Sequence, residues 1–454
     1  MTLLLGTSVA LFAGGFALSG VGSRALGMGG AFRGMANDGT AMYWNPAGLA
    51  FMDQSEISLG GTFIQPGAKW QNTAPLPGFS MDELEAENKL TAFPYLFGTY
   101  AKNPNAVFGL GIYVPFGLGS TYDAYDMEST AFAIPDTLPN GSPLPGDVIF
   151  PTGMPENEMS SRVAIVDVHP TIGYKIMDNL SFGVGLSVLY GMIDLTQIKP
   201  TPGFSTLAPS TFEMSGTGLG FGANVGVMYK PLENLSLGFN GRFPSNIEMT
   251  GEADINLWMN SYHYFLVQLQ GGSTEPQWVP VVSGGNSDIE ATLKLPAELG
   301  FGLSYNLLPN WSLNLDYALT MWDRLEKINV DMQDEFDILG IPVGDQELAF
   351  NWENTNRISI GTEYRVGCNA LRAGFYYDQT PIPEDYQIPT LSDTGDKMSG
   401  SFGFGRSFGN FSLDLNGQYI MVPEREVTEQ TEYNMIGIYN STIMAGNLSL
   451  AYRF

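Results

Sequence analysis

Residues 299–321 read LGFGLSYNLLPNWSLNLDYALTM, and this stretch decides the fold. Leu299, Phe301, Leu303 and Tyr305 alternate with Gly300, Gly302, Ser304 and Asn306. A short turn, Leu308-Pro309-Asn310, follows. The alternation then resumes, with Trp311, Leu313, Leu315, Tyr317, Leu319 and Met321 set against Ser312, Asn314, Asp316, Ala318 and Thr320. Successive side chains of a strand point to opposite faces, so a period of two marks a strand whose faces differ. Here one face is apolar and the other small or polar. The same pattern covers Phe182, Val184, Leu186, Val188 and Tyr190, and the final Leu448, Leu450, Tyr452 and Phe454. In a soluble sandwich the apolar face is the interior; in a membrane barrel it is the exterior.

The connections separate those two cases. About fourteen strand candidates lie near 55–65, 89–100, 106–118, 163–176, 180–195, 217–230, 235–253, 289–306, 311–325, 352–366, 370–378, 398–408, 411–421 and 443–454. Connections alternate strictly between short turns, such as Asp178-Asn179 and Gly409-Asn410, and long loops, such as 119–162 and 326–351. Short turns on one side and long loops on the other are the habit of an outer-membrane barrel, and a sandwich has no reason to sort its loops by parity. The predicted fold is therefore all-β, a transmembrane antiparallel β-barrel of about 14 strands.

Composition agrees. Of 454 residues, 44% are hydrophobic and only 15% charged, where a soluble domain carries roughly 25% charged residues. Past the first stretch there is no apolar run of the roughly 18 residues that a spanning helix needs. A net charge of −27 without a basic stripe argues against a nucleic-acid partner. The single Cys368 excludes a disulfide framework within the chain. The acid gathers in long loops. Asp331, Asp334, Asp337 and their neighbours, in a spacing unlike a calcium loop, are a solvated surface or a place for divalent cations that bridge lipopolysaccharide.

The N-terminus reads MTLLLGTSVALFAGGFA over residues 1–17, an apolar core followed by small residues, as in a signal peptide cut after Ala13 or Ala17. The usual basic start is missing, which a truncated or misassigned start would explain; the other reading is a buried N-terminal segment. Phe454 closes an alternating strand, the arrangement read by the barrel-assembly machinery.

Three stretches carry a family resemblance. Residues 20–49, GVGSRALGMGGAFRGMANDGTAMYWNPAGL, look like the Gly-rich N-terminal hatch of the FadL/TodX transporters and end in Asn45-Pro46-Ala47. Residues 295–322 are similar to that family's Leu-Pro strand, turn and Trp-bearing return strand. Within 352–426, ISIGTEYRV, ALRAGFYYDQTPIPEDY and SLDLNGQYIMVPERE follow in family order. The resemblance implies a signal segment at 1–17, a hatch at 18–50 that plugs the lumen, and a barrel at 51–454. It also implies passive transport of long-chain fatty acids or hydrocarbons, with outer-membrane lipid and lipopolysaccharide as surroundings. Neither a cofactor nor a metal is implied. The alternative is a scaffold barrel for protein secretion, as in the PorV-like branch. A general porin is disfavoured by the plug.

Site expectations follow. Residues 257–270, LWMNSYHYFLVQLQ, contain no Lys, Arg, Asp or Glu, and at helical spacing Trp258, Tyr262, Phe265, Leu266 and Leu269 share a face. They are read as a capture surface for ligand or, equally, as packing on the barrel rim. Strand parity places Arg242, Lys294, Arg357, Arg365 and Arg372 inward, as anchors for a carboxylate or as partners of inward acids such as Glu363, Asp316 and Asp414. Asp38 can tether the hatch, and Asn45, Pro46 and Ala47 mark its joint with the wall. Pro115 interrupts a wall strand, and Gly109, Gly111 and Gly117 leave pleats empty beside it; this is the expected kink, and a lateral exit. Gly218, Gly220 and Gly222 leave lumen space for a ligand. No catalytic residue is assigned. His169 and His263 are not in metal-spaced clusters, and a Ser–His–acid triad assembled by the fold is the one enzymatic arrangement left open.

Overall fold

Alternation is converted into a closed wall. In the computed structural model, residues 15–74, 80–87, 89–124, 159–200, 209–260, 278–282, 285–334, 336–338, 341–391 and 394–454 are described. The wall strands among them are β1 (Glu56–Gln71), β2 (Thr91–Tyr100), β3 (Ala106–Tyr122), β4 (Met159–Met177), β5 (Leu180–Pro200), β6 (Pro209–Leu232), β7 (Leu235–Arg242 with Ser245–Asn260) and β8 (Asn286–Leu295 with Ala297–Leu308). The circuit continues with β9 (Trp311–Met321, extended by Lys327–Met332), β10 (Thr355–Val366, preceded by Gln346–Ala349), β11 (Asn369–Asp378), β12 (Lys397–Phe408), β13 (Phe411–Val427) and β14 (Gly437–Arg453). Each pairs antiparallel with the next. β14 closes the ring on β1, from Glu56↔Arg453 to Gln71↔Ile438. Closure leaves no sheet edge in the lipid, where an unpaired backbone group has no partner. Leu313, Leu315 and Tyr317 are exposed on the outside, whereas Ser312, Asn314 and Asp316 between them are buried inside.

The chain from Gly15 to Ser55 lies within the barrel. It forms two single turns, α1 (Ser23–Leu26) and α2 (Ala41–Trp44), and a 3-10 turn, Pro46–Phe51, on which the Asn45 side chain accepts the N–H of Ala47. Pro46 suits the first position of that turn, where its missing N–H is not needed. Lumen glycines of the wall make room for the hatch. A Cβ on Gly183 would stand 2.2 Å from the carbonyl carbon of Pro46, one on Gly226 2.1 Å from Asn45 Oδ1, and one on Gly374 2.1 Å from the carbonyl carbon of Met28. On the hatch side, Gly29 has φ of 66° and lies against the Phe375 backbone, a position closed to a residue with a Cβ.

Two facing interruptions reorganise the lumen. β7 breaks at Phe243-Pro244 and β8 at Pro296, between the register pairs Arg242↔Glu298 and Ser245↔Leu295. Prolines cannot donate to the ladder, and the breaks shift side-chain parity. Below them even-numbered Asn240 and Ser304 face in. Above them Ile247, Met249, Ile289, Leu293 and Leu295 face in and form an apolar cluster with Trp322 and Trp352. The lower lumen is thus filled by the hatch, which meets the wall through polar groups and through an apolar cluster around Phe32, Trp44 and Phe97, and the upper lumen is apolar.

Candidate functional site

The hatch is pinned by two arginines. Arg33 donates from Nε to Asn240 at 2.8 Å and from Nη2 to Glu298 at 2.6 Å, while Asp316 accepts the N–H groups of Phe32 and Arg33 at 3.0 and 2.8 Å. Arg24 donates from Nε to Glu363 at 2.9 Å and contacts Asp38 at 3.3 Å. Burial works against the charge of each guanidinium, but the surrounding carboxylates outweigh it and hold both pKa values above the ordinary arginine value. Both pins stay cationic. Asp38 also accepts the Thr40 N–H and hydroxyl, so it ties the hatch to itself and, through Arg24, to the wall. Asn45 donates to the carbonyls of Arg33 and Val227, and Ala47 O accepts the Ser181 hydroxyl at 2.8 Å. The Asn-Pro-Ala joint therefore docks on β5 and β6, ahead of the point at Glu56 where the chain enters the wall.

Above the hatch three cavities follow one another. The first, of about 450 Å³, lies at the long-loop end among Phe350, Ile388, Leu391, Tyr433 and Met435, with Tyr386 and Tyr433 stacked 5.4 Å apart. The second, of about 50 Å³, shares Phe350, Ile388, Thr390 and Leu391 with the first and reaches Trp352 and Phe16. The third, of about 40 Å³, is lined by Ala17, Leu18, Phe116, Arg242, Glu298 and Arg357. A fourth, of about 200 Å³ under the hatch, is bounded by polar groups such as Asn37, Ser304, Asn306 and Arg365.

The wall is irregular where the second and third cavities meet. β3 and β4 pair at Tyr113↔Asp167 and again at Phe116↔Ile165, so Val114-Pro115 form a bulge. The pairing of β3 with β2 stops at Leu96↔Ile112. Contact with the β1–β2 connection resumes higher up, where Glu87 N–H donates to Thr121 O at 2.9 Å. From the lumen, Leu18 N–H donates to Pro115 O at 3.0 Å and Gly117 N–H to Phe16 O at 2.7 Å. The N-terminal segment thus covers backbone groups that the wall leaves open.

The expected site residues divide. Arg242 and Arg357 come together in the third cavity, Arg242 over the Tyr43 ring at 4.6 Å and Arg357 over Tyr376 at 4.0 Å. Arg372 is paired with Glu363 at 2.7 Å and Asp414 at 2.6 Å, the inward-acid alternative, and Arg365 sits exposed at the short-turn rim. Lys294 is not inward. Its neighbours Leu293 and Leu295 are the buried ones, because the break at Pro296 reverses the parity on which the expectation rested. Gly111 is not in the gap. It pairs with Phe97 within the ladder, and a Cβ there would meet that ring at 2.8 Å. The space beside Gly109 is filled by Met42, and Gly218 and Gly220 accommodate the backbone of β7 rather than a ligand. Tyr262, Phe265, Leu266 and Leu269 lie outside the described residues. The helical spacing read through Trp258 does not hold there, since its backbone pairs with Pro280 as part of β7. The mouth residues 348–350, 386–391 and 433–435 were missed. Their signal was slight: short apolar groups inside acidic loops.

His169, Ser187 and Asp167 do meet. Ser187 Oγ lies 2.9 Å from His169 Nδ1 and donates to Asp167 Oδ2 at 3.0 Å, while His169 Nε2 faces Asn224 Oδ1 at 3.1 Å. In a Ser–His–acid relay the hydroxyl and the carboxylate take opposite ring nitrogens. Here both approach Nδ1, and Asn224 passes the network on to the hatch by donating to Met42 O at 2.8 Å. Among the described residues no His, Cys, Asp and Glu group is arranged to hold a metal ion.

A fourteen-stranded barrel with an internal hatch, an apolar upper lumen and a kinked wall strand defines an outer-membrane transport barrel. The chain belongs to the family described as outer membrane protein transport protein (OMPP1/FadL/TodX), whose profile matches residues 3–134 and 155–454. It is 23% identical over 408 residues to the 47 kDa outer membrane protein of Pasteurella multocida, covering 86% of this chain and 84% of that one. Among solved structures it resembles a Pseudomonas aeruginosa FadL homologue (TM-score 0.74, 18% identity, 97% of this chain and 100% of the other). It also resembles the Pseudomonas putida toluene transporter TodX (TM-score 0.70, 20% identity, 97% and 100%). The protein is thus an outer-membrane transport protein of that family.

Proposed function

We propose that this barrel takes up hydrophobic small molecules passively, of the fatty-acid or hydrocarbon kind, and releases them sideways at the β3 kink into the bilayer. The observation that carries the reading is the succession of cavities, mainly apolar from the mouth to Phe16 and ending at Phe116, next to the bulge of Val114-Pro115 that Phe16 and Leu18 cover from the lumen. The polar cavity beneath the hatch offers an apolar ligand no equivalent surface. Sideways release keeps such a ligand out of water. Among the described residues no Lys or Arg lines the first two cavities, whereas Glu347, Glu432 and Asp194 do, which favours an uncharged hydrocarbon-like ligand over a free carboxylate.

The experiment is uptake of labelled toluene and labelled oleate by cells with and without the protein, and with Pro115 deleted. The bulge is one residue long, so the deletion restores regular pairing with β4. The expected result is uptake that depends on the protein and falls in the deletion variant, while ligand binding to the purified barrel survives. Uptake that ignores the presence of the protein sinks the transport reading in favour of a secretion scaffold. Unchanged uptake by a correctly inserted deletion variant sinks only the lateral route.

A further inference from the structure

The second cavity is lined mainly by apolar side chains, with Ser161, Asp194 and Gln197 among its polar residues, and two of its hydrogen-bonding groups lack partners. Trp352 and Thr390 both line it, and both are buried, at 2% and 1% exposure. Neither the Trp352 Nε1–H nor the Thr390 Oγ1 has a hydrogen-bond partner, and the same holds for the Nε1–H of Trp322, whose ring packs 5.0 Å from that of Trp352. Native interiors leave few such groups, because an unmade hydrogen bond costs the full desolvation of the donor. An indole N–H can only donate, and a threonine hydroxyl can donate or accept.

The surroundings hold these groups in place. Ser161 donates to the Thr390 carbonyl at 2.6 Å, and the Trp352 N–H of the backbone donates to Leu325 O at 3.2 Å. The Phe16 ring lies 4.9 Å from Trp322 and 5.5 Å from Trp352. The result is a pair of buried groups beside packed aromatic rings, with no hydrogen bond from the polar residues of the lining to either. Val163, Leu195, Leu293 and Leu391 supply much of the apolar wall.

We propose that this chamber selects an uncharged hydrophobic molecule that carries a hydrogen-bond-accepting oxygen, such as a ketone, ether or ester, over a plain hydrocarbon of the same shape. The donors are Trp352 Nε1 and Thr390 Oγ1, and the apolar part of the ligand lies towards Phe350, Ile388 and Leu391, which the chamber shares with the mouth cavity of about 450 Å³. This rests on the transport reading above and narrows its substrate class. A site that has desolvated its donors in advance discriminates against a ligand that leaves them unpaired.

The test uses acetophenone and cumene, which match in shape and differ by a carbonyl oxygen in place of a methyl group. Binding to the detergent-solubilised barrel is measured by equilibrium dialysis, corrected for partition into empty micelles. The chamber predicts that acetophenone binds roughly threefold to tenfold more tightly than cumene, the net worth of one hydrogen bond. Thr390→Val, which keeps the size, and Trp352→Phe, which keeps an aromatic ring, remove the donors, and each reduces that ratio; in Thr390→Val cumene binding stays as it was. An acetophenone-to-cumene ratio unchanged in both variants overturns the proposal, as does a parallel loss of both ligands, which marks a packing role. If the parent protein binds neither compound, the transport reading falls and this proposal with it.

Discussion

Removal of the Arg33 guanidinium should loosen the hatch more than any other single truncation at its surface. The side chain is bonded to Asn240 and Glu298, approaches Asp316 at 3.4 Å, and stacks on Trp44 at 5.4 Å. Arg33→Ala leaves Asp316, 1% exposed at its side chain, without its cation. Breaking a buried ion pair from one side costs about 3–5 kcal/mol, because the remaining charge stays desolvated. That corresponds to a shift of roughly two to three and a half orders of magnitude in the ratio of docked to undocked hatch. The assay is conductance in planar bilayers together with protease protection of residues 20–50. Arg33→Ala is expected to show open bursts and a cleavable hatch, with the barrel still heat-modifiable on gels. Arg365→Ala is the control. That residue is paired with Glu363 but 54% exposed, and an exposed pair contributes about 1 kcal/mol or less. A variant Arg33→Ala with the parent's closed level and the parent's protection would refute the claim that this cluster holds the plug.

Other outcomes follow from the same geometry. Gly226→Val places a side chain where Asn45 Oδ1 stands 2.1 Å from the ideal Cβ, so the barrel should insert with its hatch displaced, visible as raised conductance. Lys294→Ala, on the outer face, should leave uptake unchanged, whereas Arg357→Ala, in the third cavity, should alter the ratio of oleate to methyl oleate bound; identical behaviour of the two variants would contradict the assignment. N-terminal sequencing of protein purified from the outer membrane should find Phe16 retained, as cleavage after Ala13 would give, since that ring is buried against Phe116, Trp322 and Trp352. A mature chain beginning after Ala17 would remove it.

The wall was legible because alternation and loop parity are local and repeated. All fourteen strands fall where Leu313, Phe182 and their counterparts indicate, with ends that run further into the long loops than the apolar pattern does, as from 195 to Pro200 in β5. The kink was legible for a related reason: a proline inside a period-two run has few places to go. Lys294 departs from simple alternation for a physical reason. Parity propagates only through unbroken pairing, and Pro296 ends it, although Phe243-Pro244 on the facing strand gave a second warning. The glycines mislead in the same way. An empty pleat in the sequence says that something approaches closely, but Gly226 and Gly374 receive the hatch, not a ligand. The mouth could not be read at all. Phe350, Tyr386 and Tyr433 lie in three different loops, and only closure of the barrel brings them together.

Photolabelling tests the central claim most directly. A hydrophobic diazirine probe, irradiated with the protein in vesicles at a low probe-to-lipid ratio and mapped by mass spectrometry, reports where an apolar molecule resides. The path described here predicts labelling of peptides containing Phe350–Trp352 and Tyr386–Leu391, then of the peptide containing Phe116, all suppressed by excess unlabelled toluene. Labelling confined to the lipid-facing residues Leu313, Leu315 and Tyr317, and unaffected by competitor, would contradict it.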